Sequence, residues 1–419
     1  MRRLYLVLAA ALTLAACAGS HGEGPAAEAP EMLRAVPSDA LSVGIFSRCE
    51  NAMANMLDST SVLCRLDYGK LARQKAVIAM CDVGSLEPLL IIETGKLRHD
   101  GGVPVADTIP QAASLARQAD SLRLSSAQLA LDKHNILLIS PSATVMTVVR
   151  RHLASESSIL DAPDFDGVLE AVGGSDAIIW RNAGAAKLFN REICSIPRRK
   201  LIGFLKGATE WTVLCGDKLR TVQPQTERYL CNFLDAAGDG QSKLGSFFPP
   251  EPELLIDIPI ADRQEWRRQY ETMLDARVEL EGYEKRIAAL RKATGKSPLD
   301  WEKENDIQEV AYVATKDWTI NMVRTAKAAK GSGKGRSEVL PNPRTGFVAA
   351  LYGEPFSSAD SCFVRHGNWI VSGPRAVLDT LRPATVKGWP AKAAAVVQVP
   401  GQRLTWTKEN KTLWQDSNR

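Results

Sequence analysis

The sequence predicts an α+β fold: two related modules of mainly antiparallel sheet with helices packed on one face, plus one long amphipathic helix. Three observations lead there. First, "HNILLISPSATVMTVVR" (134–150) has an echo in "HGNWIVSGPRAVLDTLR" (366–382), each running from a His through an apolar strand and a Ser into a helix begun near a Pro. Second, the apolar stretches are short and joined by polar turns, which favours hairpins and antiparallel pairing over strand–helix–strand crossovers. Third, residues 261–295 carry an apolar stripe at helical spacing.

The echo ends a longer series of matched elements. "VPSDALSVGIFS" (36–47) and "PPEPELLIDIPI" (249–260) are Pro-led strands, and each is followed by a helix containing Met-Leu-Asp, at 56–58 and 273–275. Strand pairs follow, "AVIAMCDVGSLEPLLIIET" (76–94) and "EVAYVATKDWTINMVRT" (309–325), and then hairpins, "QLALDKHNILLIS" and "SCFVRHGNWIVS". After Ser140 and Ser372 a Pro enters where a helix begins, a position that does not need its missing N–H. Val145, Val148 and Val149 mark one face of the first helix, as Val377 and Leu381 do in the copy. This order points to an internal duplication, with a first module over 36–160 and a second over 249–386. Between them, 161–248 reads as an intervening α+β segment with the strand "DAIIW", helices "GAAKLFNREI" and "RYLCNFLDAA", and the hairpin "WTVLCGDKLRTVQ". Residues 387–419 form a C-terminal tail.

In 261–295, Trp266, Tyr270, Met273, Leu274, Ile287 and Leu290 share a face amid charges, so the segment is expected to be one helix ending near Gly295. A stripe of this kind packs on its own domain unless a partner helix takes it.

The N-terminus has its own logic. Arg2 and Arg3 precede thirteen uncharged residues, Leu4–Ala16, too few for a bilayer span of roughly 20 and matching a secretory signal over 1–16. Leu14-Ala15-Ala16-Cys17 resembles the lipobox of bacterial lipoproteins. That resemblance implies cleavage before Cys17 and lipidation of its thiol, with palmitate among the acyl chains that hold the protein stably to a membrane. Residues 17–35, rich in Gly, Ala, Pro and Glu, then read as a flexible tether. Ala18, where the resemblance gives Asp for inner-membrane retention, points to the outer membrane of a bacterial cell envelope.

Without Arg2 and Arg3 the chain holds 50 basic and 48 acidic residues, a balance unlike that of a nucleic-acid binder. Beyond Cys17 there are seven cysteines (Cys49, Cys64, Cys81, Cys194, Cys215, Cys231 and Cys362) and no Cys-x-x-Cys, so at least one thiol is free in a monomer. Several sit in apolar strands, where a thiol acts as a small hydrophobe; one or more disulfides is the alternative.

The Pro-led strand, "QEVAYVATKDW" and "NWIVSGPRAVLDTL" resemble a group of lipid-anchored bacterial cell-envelope proteins of unknown function with repeated α+β modules. The resemblance covers roughly 36–385 and implies no catalytic residues.

No motif assigns chemistry. His134 and His366 fall at hairpin turns, which explains them better than a paired ligand site. His21, His99 and His152 show no metal-ligand spacing, so no metal and no cofactor is expected. "DFDG" (164–167) lacks the ladder of a calcium loop, and "GQSKL" (240–244) lacks the second Gly of a nucleophile elbow. "KAAKGSGKGRSE" (327–338) is no phosphate loop, because Gly335 follows Lys334; Lys327, Lys330, Lys334 and Arg336 offer at most an anion contact. The expected function is therefore non-enzymatic binding or scaffolding. Expected partners are the membrane, through the anchor, and an envelope protein or an anionic glycan or lipid, not nucleic acid. The rival is a hydrolase-like envelope enzyme with a cleft between the modules. Converging charged groups in that cleft would favour the enzyme, and an apolar groove the binding protein.

Overall fold

The computed structural model describes residues 31–100, 103–106, 110–131, 133–188, 196–216, 218–249, 252–326, 338–400, 402–408 and 414–417. The fold is α+β, with two eight-stranded antiparallel sheets. The chain divides into two compact units, the first within 1–190 and 210–222, the second within 191–209 and 223–419.

In the first unit, strands β1 (Ser42–Phe46), β2 (Ala76–Asp82), β3 (Leu86–Asp100), β4 (Ser125–Ala130), β5 (His134–Ser140), β6 (Ala177–Arg181), β7 (Trp211–Cys215) and β8 (Lys218–Thr221) pair in the order 4-5-3-2-1-6-7-8. The side chains alternate across this sheet. Val43, Ile45, Val77, Ala79, Leu89, Ile91 and Leu138 share one core with Val145, Met146 and Val149 of α3 (Ala143–Ala154) and with Phe165 and Val168 of α4 (Phe165–Val172). Ser142 caps α3 by accepting the Val145 amide at 3.4 Å, as a Ser before a helix should. Gly44 faces the other way: a Cβ there would lie 2.9 Å from Met56 of α1 (Cys49–Met56) and 2.5 Å from Phe46. Helices thus cover both faces, where one was expected, because buried strands present apolar side chains on both sides. A further helix, α2 (Pro110–Ser121), buries Ala112, Leu115 and Ala119.

The second unit repeats the order. Its strands β9 (Leu254–Pro259), β10 (Ile307–Ala314), β11 (Thr319–Thr325), β12 (Cys362–His366), β13 (Trp369–Gly373), β14 (Ala395–Val399), β15 (Gln402–Trp406) and β16 (Trp414–Ser417) pair as 12-13-11-10-9-14-15-16. Its helices are α5 (Ile196–Ala208), α6 (Leu230–Ala237), α7 (Arg263–Ala276), α8 (Leu280–Thr294), α9 (Pro298–Asn305), α10 (Phe347–Tyr352) and α11 (Arg375–Thr380). Leu378 and Leu381 pack on Val371, Met322, Ala311 and Leu255.

Four boundaries move. The segment 161–248 is not a module: β6, β7 and β8 extend the first sheet from β1, while α5 and α6 belong to the second unit. The tail 387–419 supplies β14, β15 and β16. Residues 31–35, assigned to the tether, form a 3-10 turn that buries Met32, Leu33 and Ala35. The expected single long helix is two, because the chain turns at 277–279. There Val278 takes a left-handed conformation (φ 61°), its N–H bonding to the Asp275 carbonyl while the Glu279 N–H bonds to that of Leu274. This is a Schellman ending, built on a Val where Gly is usual.

The ladders also correct the echo. Aligning the faces that carry the α3 and α11 cores sets Ala79 on Val313, Ile91 on Met322 and Leu138 on Val371. In the echo Val371 instead lines up with Ile139, one residue out of step. The helices stay in step, Met146 with Leu378 and Val149 with Leu381, because the connection before α11 is one residue shorter. The matching His and Ser are therefore not equivalent: His134 opens β5, whereas His366 ends β12.

Candidate functional site

In the second unit, α5, α6, α7, α8, α10 and β9 enclose a cavity of about 720 Å³, within the range of small-ligand sites, ~300–1,000 Å³. Asp262 starts α7 by accepting the Gln264 and Glu265 amides at 2.8 and 2.9 Å. The stripe read from the sequence then turns inward: Trp266, Tyr270, Met273 and Leu274 are buried and form much of the wall, with Leu290 of α8 also lining it. Phe233 of α6 meets Trp266 edge-on at 4.9 Å, and Trp266 stacks on Tyr270 at 5.1 Å. Such contacts fix the rings beyond their burial alone.

A buried arginine holds this frame. Arg267 pairs with Glu302 at 2.6 Å, donates to the Leu351 carbonyl at 2.8 Å, and lies 5.1–6.0 Å from the ring centres of Trp266, Tyr270, Tyr283 and Tyr352. Burial works to lower its pKa, but Glu302, Tyr283 and Tyr352 together outweigh this and hold it above the ordinary value. Tyr352 donates to the same Glu302 oxygen at 2.8 Å, and burial pushes its phenol well up. Ion-paired with the buried Glu302, Arg267 is a structural cation.

Two other arginines line the cavity itself. Arg277, at the end of α7, donates to the carbonyls of Arg228 (2.5 Å) and Gly207 (2.7 Å). Burial lowers its pKa, opposed by the nearby Glu279. Arg286 projects from α8.

The other face of the second sheet holds a carboxylate pair. Asp257 and Glu309 are both fully buried. The Ser242 hydroxyl lies 2.8 Å from Asp257 Oδ2 and 2.9 Å from Glu309 Oε1, and accepts the Trp389 indole N–H at 2.8 Å. Glu309 also accepts Arg324 Nε (2.5 Å) and the amides of Lys243 and Leu244. One hydroxyl has one proton, so it donates to one carboxyl and receives from the other. Glu309 is the member matched to the Arg324 guanidinium. Asp257, whose pKa burial and Glu309 push well up, keeps its proton. The pair is sealed from the cavity by strand alternation: Ile258 lines the cavity and Asp257 points the opposite way.

Cys17, Lys327, Lys330, Lys334 and Arg336 lie outside the described residues. His134 bonds to Glu93 at 2.9 Å, and the His366 ring packs on Phe247; the structure does not bring the two histidines to equivalent positions. Cys49, Cys64, Cys81 and Cys362 carry free thiols, and burial pushes those of Cys49 and Cys81 up to about 12; Cys194 lies outside the described residues. Among the described residues no cluster of His, Cys, Asp or Glu could hold a metal ion, and no helix is long and apolar enough to cross a membrane. Sequence reasoning missed both Asp257 and Arg277. The signal for the first was an acid inside the apolar strand "ELLIDIPI", and Arg277 had none. No protein family, curated protein or solved structure matches the chain.

Proposed function

We propose that this is a lipid-anchored bacterial cell-envelope protein with a non-enzymatic binding role, held to the outer membrane through Cys17 and taking a partly apolar ligand in its second unit. The aromatic-walled cavity carries this reading. It offers area and shape for an apolar body. Asp257, a buried carboxyl whose pKa is pushed up, points away from it, which counts against hydrolysis there. The anchor rests on Leu14-Ala15-Ala16-Cys17 alone.

Two measurements test the two halves. Cys17→Ala should leave the chain unprocessed or release it from membranes; the variant found on membranes at the processed size removes the anchor. The unacylated chain should bind the neutral dye N-phenyl-1-naphthylamine with a rise in fluorescence. Gly203→Trp should abolish that rise, because Gly203 lines the cavity and an added Cβ meets nothing within 4 Å. A signal untouched by this plug places the dye elsewhere and removes the binding reading.

A further inference from the structure

Arg277 is a half-buried cation, and among the described residues its hydrogen-bond partners are two backbone carbonyls, those of Arg228 and Gly207. Among the described residues it makes no ion pair, in contrast to Arg267 with Glu302 and Arg324 with Glu309. Two carbonyls use two of five guanidinium donors, and they carry no charge. A half-buried charge whose nearest carboxylate, Glu279, forms no ion pair with it among the described residues is incompletely compensated, and an anion completing it would recover part of the cost of its burial. Arg286 stands exposed on the cavity wall, also without an ion pair among the described residues. Against these two cations the wall offers one carboxylate, Glu279, which is exposed. The remaining wall is largely aromatic and aliphatic and includes Phe233, Trp266, Tyr270 and Leu290.

A second feature concerns how Arg277 is placed. The next residue, Val278, is 93 % exposed and left-handed at φ 61°. A β-branched residue adopts that conformation only under constraint, and held strain of this kind gathers at ligand clamps. The strained turn ends α7 where the Arg277 side chain folds back over Gly207, whose added Cβ would lie 3.6 Å from the guanidinium.

We propose that the cavity takes a single-chain anionic amphiphile, its carboxylate or phosphate head against Arg277 and Arg286 and its hydrocarbon body among Phe233, Trp266, Tyr270 and Leu290. This rests on the binding reading above and adds the sign of the head group. Cationic amphiphiles of equal chain length are excluded by the same two arginines.

The test is competition against N-phenyl-1-naphthylamine on the unacylated full chain, below the micellar concentration of each competitor. Dodecanoate and dodecyl phosphate should displace the dye at least tenfold more effectively than dodecylamine. Comparing the first two identifies the head. Arg277→Met should weaken dodecanoate about tenfold, the worth of one charge-assisted contact, while the dye still binds. Arg286→Ala should weaken it less. Equal competition by anion and cation on the unmodified chain overturns the proposal while leaving a binding cavity in place. Loss of dye binding to the unmodified chain removes the binding reading as well. Should Arg277→Met unfold, the head-group comparison and Arg286→Ala decide alone, and no response in either overturns it.

Discussion

Where the first sheet buries Ile45 the second buries Asp257, and further polar residues follow on the same face, beside positions that stay apolar. With the ladders in register, Val43 corresponds to Leu255, Ile179 to Gln398 and Val213 to Arg403. The cross-strand pair Glu309–Arg324 stands where the first unit has Lys75 and Glu93. In the first unit the part of this face roofed by α3 and α4 is an apolar core. In the second, part of it is roofed by residues 242–246 and Trp389: the Lys243 and Leu244 amides and the Ser242 hydroxyl meet the carboxylates, and the Trp389 indole N–H donates to that hydroxyl. Arg403 adds a bond to Gln398 at 2.9 Å and lies 4.7 Å from the Trp389 ring centre. Strand order is set by backbone pairing, which is indifferent to side-chain chemistry. The roof decides what the sheet can bury, because a buried polar group survives only with partners. The opposite faces differ for another reason. The first unit links β1 to β2 through α1 and two 3-10 turns, while the second links β9 to β10 through α7, α8 and α9, of which α7 and α8 line the cavity.

The comparison breaks most sharply at Arg324. Arg324→Ala leaves Glu309 buried and uncompensated, and should destabilise the second unit by about 3–5 kcal/mol in denaturant unfolding. A loss under 1 kcal/mol means that the network is not held by that ion pair.

Asp257→Asn moves the second sheet toward the neutral face of the first. Asp257 has a raised pKa when folded, so its contribution is fully present below its unfolded value, about 3.9, and is lost as pH rises towards the folded value. The native chain should thus weaken from about pH 4 upward, by about 1.4 kcal/mol for each unit of elevation titrated. Asn carries no proton to lose. Its advantage over Asp should be larger at pH 8 than at pH 4, and parallel melting curves across that range contradict a protonated Asp257.

A smaller effect is expected at the turn that separates α7 from α8, a feature without a counterpart in the first unit. Val278→Gly relieves the left-handed strain, and the exposed side chain contributes little packing, so stability should rise by about 0.5–1 kcal/mol. A fall in the melting temperature shows that the Val side chain has a contact the turn depends on. Gly would also loosen Arg277, so dodecanoate binding should weaken even as stability rises.

The sequence by itself determined the α+β class, the hairpins 125–140 and 362–373, and the helices that follow each. These are local matters: a polar turn between apolar runs, an N-cap Ser at 142, a Pro at 374, and Val or Leu spaced to face the strand just left. It determined the inward stripe of Trp266, Tyr270, Met273 and Leu274 as well. Only tertiary structure decided that 177–221 and 395–417 complete the two sheets. Ser42 meets Trp180, and Leu255 meets Gln398, across more than a hundred residues each, and no periodicity encodes a partner at that distance. It decided the break at Val278, because nothing in "LDARVELEG" announces a left-handed Val until neighbouring packing compels the turn. It decided, too, that Asp257 keeps a proton and that Arg277 lines a cavity. A side chain's charge state and accessibility depend on which distant groups enclose it, and enclosure is a property of the folded chain alone.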